Sequence, residues 1–262
     1  MAEDPEYETE IASPAEPGRL GGLRRRGIYL LPNLFTTGVL FCGFFAIVQA
    51  MNGRFEIGAV AIYVAMVLDG MDGRVARWTN TQSEFGAQYD SIADMVAFGA
   101  APALVAYEWS LKDLGTAGWI AAFLYCAGTA IRLARFNVNI GVVDKHFFQG
   151  LPSPSGAAVL AGLVWVMTDF GFKPSDWLSI LTWIIAVFAG ATMVSNIPFY
   201  SFKEVNWKRR VPLWVILASV LGISLVASRP SLVLFGLFMA YAVSGYVMWA
   251  SGRRVRPVLP EE

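Results

Sequence analysis

The chain has 262 residues, of which 56% are hydrophobic and 15% charged, and its 20 basic and 20 acidic residues cancel to a formal net charge of zero. Soluble domains are about 45–50% apolar and about 25% charged, so this is membrane-protein composition. A zero balance argues against the basic surface that nucleic-acid binding requires, and no nucleic-acid partner is expected.

In chain order, residues 1–18 are rich in Glu, Pro and Ala without apolar periodicity and read as a disordered tail, extended here to residue 23. The acidic character of this segment does not fit a signal peptide. Eight apolar stretches long enough to approach a bilayer span follow, at 28–50, 55–76, 88–109, 116–138, 154–171, 177–199, 211–228 and 231–250. The expected fold is an all-α polytopic membrane domain over 24–252, with a short tail at 253–262. With the N-terminus in the cytoplasm, sixteen of the 20 Lys and Arg residues fall on the inner side; only Arg54, Lys112, Lys173 and Arg229 fall outside. That asymmetry places both termini in the cytoplasm of a cell-membrane protein. Much of the inner basic charge serves topology and attraction to anionic membrane lipids.

Minor features follow the same logic. Cys42 and Cys126 lie in separate apolar runs and read as packing residues rather than a disulfide or metal pair. His146, the single histidine, reads as a surface residue of the loop before the fifth stretch. Trp109, Trp119, Trp177, Trp207 and Trp249 stand near predicted helix ends, where interfacial anchors are found.

Against this apolar background stand four aspartates, in the string Asp69-x2-Asp72-Gly73-x2-Ala76-Arg77-x8-Gly86-x3-Asp90-x3-Asp94. A carboxylate at membrane depth costs about 2.5–3.5 kcal/mol on insertion scales, so four unneutralised ones would cost about 10 kcal/mol. Asp69 and Asp72, three apart, share one helical face; Asp90 and Asp94, four apart, share a face of the next helix. The polar segment between them reads as a short cytoplasmic connection, so both acidic faces meet at the inner rim. Hard oxygen ligands in this density suit Mg²⁺, Mn²⁺ or Ca²⁺, and two divalent ions would balance four carboxylates. Gly70, Gly73 and Gly86 weaken a helix but let a large ligand approach the backbone. Arg77 follows on near the same side, with the fork that binds phosphate bidentately. These are the parts of a phosphoryl-transfer site. A cation-transport site and a structural ion cluster are the competing readings of the acids alone.

The same string resembles, without a departure, the signature of the CDP-alcohol phosphotransferase family. Its members are integral membrane enzymes that displace CMP from a CDP-linked lipid or alcohol. The resemblance implies that Asp69, Asp72 and Asp90 hold two metal ions (Mg²⁺ or Mn²⁺), with Asp94 contributing to the second. It further implies that Asp94 is the base that takes the acceptor's proton. On the same ground Gly73, Ala76, Arg77, Ser83 and Gly86 face the CDP part of CDP-diacylglycerol.

Other segments bear on the acceptor. Ile131-Arg132-Leu133-Ala134-Arg135-Phe136-Asn137 and Gly150-Leu151-Pro152-Ser153-Pro154 are similar to runs of the bacterial membrane-embedded phosphatidylserine synthases of this family. Pro32-Asn33 with Thr36 and Thr37 is similar as well, and Asn33 is placed to reach the nucleotide or pyrophosphate. L-serine needs a cation for its carboxylate and acceptors for its ammonium; Arg132 and Arg135 would supply the first, Asn137 and Ser153 the second. Glycerol 3-phosphate or inositol phosphate would also want arginines, so charge alone leaves them open. The resemblance also implies a homodimer.

Overall fold

A computed structural model of the chain describes residues 19–79, 83–138, 147–200 and 213–251. Residues 1–18, His146, Trp207, the inner basic residues beyond 200 and the tail 253–262 lie outside the described residues. The architecture is all-α, as composition demands: in lipid a spanning segment must satisfy its own backbone, and a helix does so locally.

Helix α1 (Arg19–Met51) begins ahead of residue 24, so residues 19–23, read from sequence as tail, are helical. It folds back on α2 (Phe55–Thr79) through a turn in which Gly53 N–H donates to Ala50 O at 2.9 Å and Arg54 N–H to Gln49 O at 2.8 Å. The predicted third span, 88–109, proves to be a broken rod. It consists of α3 (Glu84–Asp94), a π-helical turn (Met95–Ala100) and α4 (Ala101–Trp109). Pro102 explains the break: it has no N–H to give the carbonyl of Phe98, four residues back. The buried hydroxyl of Tyr125 donates to that carbonyl at 2.9 Å instead, while Ala101 N–H reaches Val96 O in the wider π register. The register therefore changes immediately after Asp94.

Helix α5 (Thr116–Val138) lies against α7 (Asp176–Val194) at a glycine contact. A Cβ built on Gly128 would stand 2.6 Å from Gly190 O, so only glycine lets these backbones approach so closely. Between them and the rest runs α6 (Ser153–Asp169), the most buried helix, packed on α2, α4, α7 and α9 (Pro230–Ala250). Tyr63 of α2 donates to Ala158 O of α6 at 2.8 Å and ties the two halves together. Helix α8 (Leu213–Ser228) packs on α9 and leaves Trp214, Leu217, Leu221 and Ile223 exposed.

Among the described residues, four helical segments are long and apolar enough to cross a membrane: Pro32–Met51, Thr116–Val138, Asp176–Val194 and Pro230–Ala250. Leu217–Ser228 is a shorter apolar helix. Phe41, Phe44, Val67, Phe123 and Val247, each more than 60% exposed, give the molecule an apolar exterior suited to lipid.

Two further details depart from the sequence reading. The expected sixth span, 177–199, stops at Val194, and the chain enters a two-stranded antiparallel ribbon. Strands β1 (Phe147–Gln149) and β2 (Pro198–Tyr200) pair Phe148 with Phe199. Trp109 is no interfacial anchor, being only 2% exposed within the core, whereas Trp119, Trp177 and Trp249 are more than half exposed.

Candidate active site

Ser83 caps the N-terminus of α3 by accepting from Gly86 N–H at 3.0 Å, and this starts the helix so that Asp90 and Asp94 fall on one face. Helix α2 brings Asp69 and Asp72 to the same place. One carboxylate oxygen from each of Asp69, Asp72 and Asp90 lies within 4.8 Å of the others. Asp72 is nearly buried at 6% exposure and is oriented from α1, where Thr36 Oγ1 donates to Asp72 Oδ2 at 3.1 Å.

Asp94, half-buried, ends α3 where the π turn begins. Oδ1 of Asp90 and Oδ1 of Asp94 are buried without a hydrogen-bond partner. Buried carboxylate oxygens left unsatisfied among like charges are costly unless a cation completes them. The donor set is all oxygen and anionic, which fits a hard divalent cation.

Beside the carboxylates opens a cleft with a volume of about 250 Å³, lined by Asn33, Gly73, Ala76, Arg77, Ser83 and Gly86 together with Asp72 and Asp90. Every residue expected on the CDP side lines this one space. Its glycines are not required by the protein's own packing at Gly73, where an added Cβ would meet only Arg77 Nη1, at 3.9 Å. The room a side chain would fill is left to the cleft. Pro32, Thr36 and Ala87 also line it. Thr36 was noted in the sequence without a role; the signal that it belongs here is its spacing, three residues after Asn33 on one face of α1.

The residues expected at the acceptor divide. Arg132 is buried at 9% exposure, and its Nη1 donates to the hydroxyl of Ser153, itself fully buried. Its charge reaches Asp94 and Asp69, and its Nε is buried without a partner. Arg135 faces elsewhere. Its Nη1 donates to Val194 O and Asn196 Oδ1, both at 3.1 Å, and its Nη2 to Gln149 O at 2.9 Å and Ser195 O at 3.2 Å. Asn137 is bonded to Ser91 of α3, with its Nδ2 donating to Ser91 Oγ at 2.9 Å. All four expected acceptor residues thus bond to protein groups, Arg132 and Ser153 to each other, and Arg132 alone of the four keeps a buried donor without a partner, its Nε.

The chain is similar to proteins of known name. The CDP-alcohol phosphatidyltransferase family profile matches residues 29–194. The chain is 36% identical over 222 residues to the CDP-diacylglycerol–serine O-phosphatidyltransferase of Helicobacter pylori, covering 85% of this chain and 92% of that protein. It is 31% identical over 193 residues to the enzyme of that name from Methanocaldococcus jannaschii, covering 73% and 83%. The corresponding figures for Bacillus subtilis are 33% over 174 residues, 66% and 92%. Among solved structures, Mycobacterium tuberculosis phosphatidylinositol phosphate synthase with CDP-DAG bound aligns at a TM-score of 0.48 and 23% identity, covering 74% of this chain and 96% of that one. The chain belongs to the CDP-alcohol phosphatidyltransferase family.

Proposed function

We propose that this protein transfers the phosphatidyl group of CDP-diacylglycerol to the hydroxyl of L-serine, giving phosphatidylserine and CMP. One observation carries the reading. The cleft that gathers the CDP-side residues is also lined by Asp72 and Asp90, two of the three carboxylates that cluster there. The relatives named for this reaction support serine as the acceptor.

In this reading Asn33, Ser83 and Arg77 bind the nucleotide and pyrophosphate, and Gly73, Ala76 and Gly86 let the CDP lie close to the backbone. Arg132 draws the serine carboxylate by a charge-assisted hydrogen bond from its unpartnered Nε, with Ser153 beside it. Asp94 accepts the hydroxyl proton. The serine oxygen forms a bond to the β-phosphorus, which carries diacylglycerol, as the bond from that phosphorus to the bridging oxygen of CMP breaks. Asp69, Asp72 and Asp90 would hold two divalent ions, Mg²⁺ or Mn²⁺, with Asp94 contributing to the second. Bound there, the metal supplies the positive charge that neutralises the pyrophosphate and the departing CMP.

The protein then sits in the cell membrane as eight spans with both termini and the site facing the cytoplasm, where serine and metal are available, and it works as a homodimer. CMP release from CDP-diacylglycerol, with serine, glycerol 3-phosphate and inositol phosphate offered separately, tests the reading. Release with serine alone is expected. Release only with a phosphorylated acceptor overturns serine, and cation flux without CMP release overturns the enzyme.

A further inference from the structure

Arg135 is three residues from Arg132 on α5, yet the two guanidinium groups have different surroundings. Both terminal nitrogens of Arg135 are spent on oxygens of the protein: Val194 O, Asn196 Oδ1, Gln149 O, Ser195 O and, at 3.5 Å, Met193 O. Met193 and Val194 form the last turn of α7, whose carbonyls have no partner within their own helix. A cation at a helix C-terminus also meets the negative end of the helix dipole. Arg135 therefore serves as a cap supplied to α7 from α5, in a nest of carbonyl oxygens that repels a carboxylate.

What the cap holds is the elbow that leads to Ser153. Gln149 O is tied by Arg135; Gly150 N–H then donates to Ile197 O at 2.9 Å and Leu151 N–H to Thr192 O at 3.2 Å. Gly150 adopts φ +77°, and a Cβ there would stand 2.3 Å from Met193 O, so the elbow lies flat on the end of α7. Three residues later Ser153, fully buried, receives the Arg132 hydrogen bond. Arg135 is thus hydrogen-bonded to Gln149 at the start of the elbow, the chain runs directly from the elbow through Pro152 to Ser153, and Ser153 is hydrogen-bonded to Arg132.

We infer that Arg135 is a positioning residue for acceptor binding: it clamps the 149–153 elbow to the end of α7 and through Ser153 sets Arg132, without touching the acceptor itself. The inference rests on the acceptor reading above and narrows it to one of the two arginines. The full-length protein in detergent micelles with CDP-diacylglycerol is the test material, as wild type, Arg135→Gln and Arg135→Lys. Amide hydrogen exchange at Gly150 and Leu151 is measured without acceptor, and KM for acceptor and for CDP-diacylglycerol by CMP release. Arg135→Gln is expected to speed exchange at both amides and to raise the acceptor KM roughly tenfold, with the CDP-diacylglycerol KM unmoved. Arg135→Lys, which keeps a charge that reaches carbonyls, is expected to fall between on both readouts, and it carries the test if the Gln variant does not fold. A raised acceptor KM with wild-type exchange would mean direct contact and overturn the inference. Faster exchange with an unmoved acceptor KM would reduce Arg135 to scaffold and overturn it equally. If wild type releases CMP with a phosphorylated acceptor instead of serine, the serine reading fails, and the same two measurements with that acceptor still decide Arg135.

Discussion

The proposed donor half of the site, built on α1, α2 and α3, and the proposed acceptor half, built on α5, α6 and the end of α7, treat their polar groups in opposite ways. On the donor side carboxylate oxygens are buried and left without partners, as at Asp90 and Asp94. On the acceptor side most polar groups have protein partners: Arg135 in its carbonyl nest, Asn137 on Ser91, and Ser153 on Arg132. The Nε of Arg132 is the exception. Residue type alone would rate Arg132 and Arg135 equally as anion binders. What separates them is whether the protein has already used their donors, since a buried group left unsatisfied costs more than a made hydrogen bond returns.

The sharpest test of this contrast is Asp94→Asn, which should lower kcat by about 10²–10⁴-fold if Asp94 is the base. CMP release measured alongside CDP-diacylglycerol binding checks it; wild-type turnover would end that assignment. Removing divalent metal with a chelator should abolish CMP release, with recovery on adding Mg²⁺ or Mn²⁺. Thr36→Val, which deletes the hydrogen bond that orients Asp72, should raise the metal concentration for half-maximal activity about 10–100-fold. Next in size is Arg132→Gln, expected to raise the serine KM about 10–100-fold, since charged hydrogen bonds are worth about 1.5–3 kcal/mol. Asn137→Ala, which removes a side chain already bonded to Ser91, should change that KM much less, and an equal effect would erase the distinction drawn here. Smallest in activity is Tyr125→Phe, which leaves Phe98 O without its buried partner. Thermal unfolding in detergent should show a loss of about 1–3 kcal/mol.

The donor half was legible in the sequence because it is local. A 26-residue string, 69–94, places its ligands on two consecutive helices, where helical spacing alone decides which residues share a face. Thr36 was visible but could not be assigned, because its partner Asp72 is 36 residues away. The acceptor half resisted for the same reason in stronger form: the bonds of Arg135 to α7 and the following turn span 58–61 residues. The ribbon and the end of α7 at Val194 escaped too, because three-residue strands carry little periodicity. The π turn was not anticipated in the 88–109 stretch, because the carbonyl that Pro102 leaves without an N–H is taken up by Tyr125, a residue of another helix.

By itself the sequence determined that this is a helical membrane protein with a carboxylate cluster beside an arginine, because composition and helical spacing are properties of neighbouring residues. Tertiary structure decided which polar groups remain unsatisfied. It separated Arg132 from Arg135, set Thr36 behind Asp72 and drew the six CDP-side residues around one cleft. Those outcomes turn on partners far apart in the chain, whose approach depends on how helices pack at contacts such as Gly128 with Gly190.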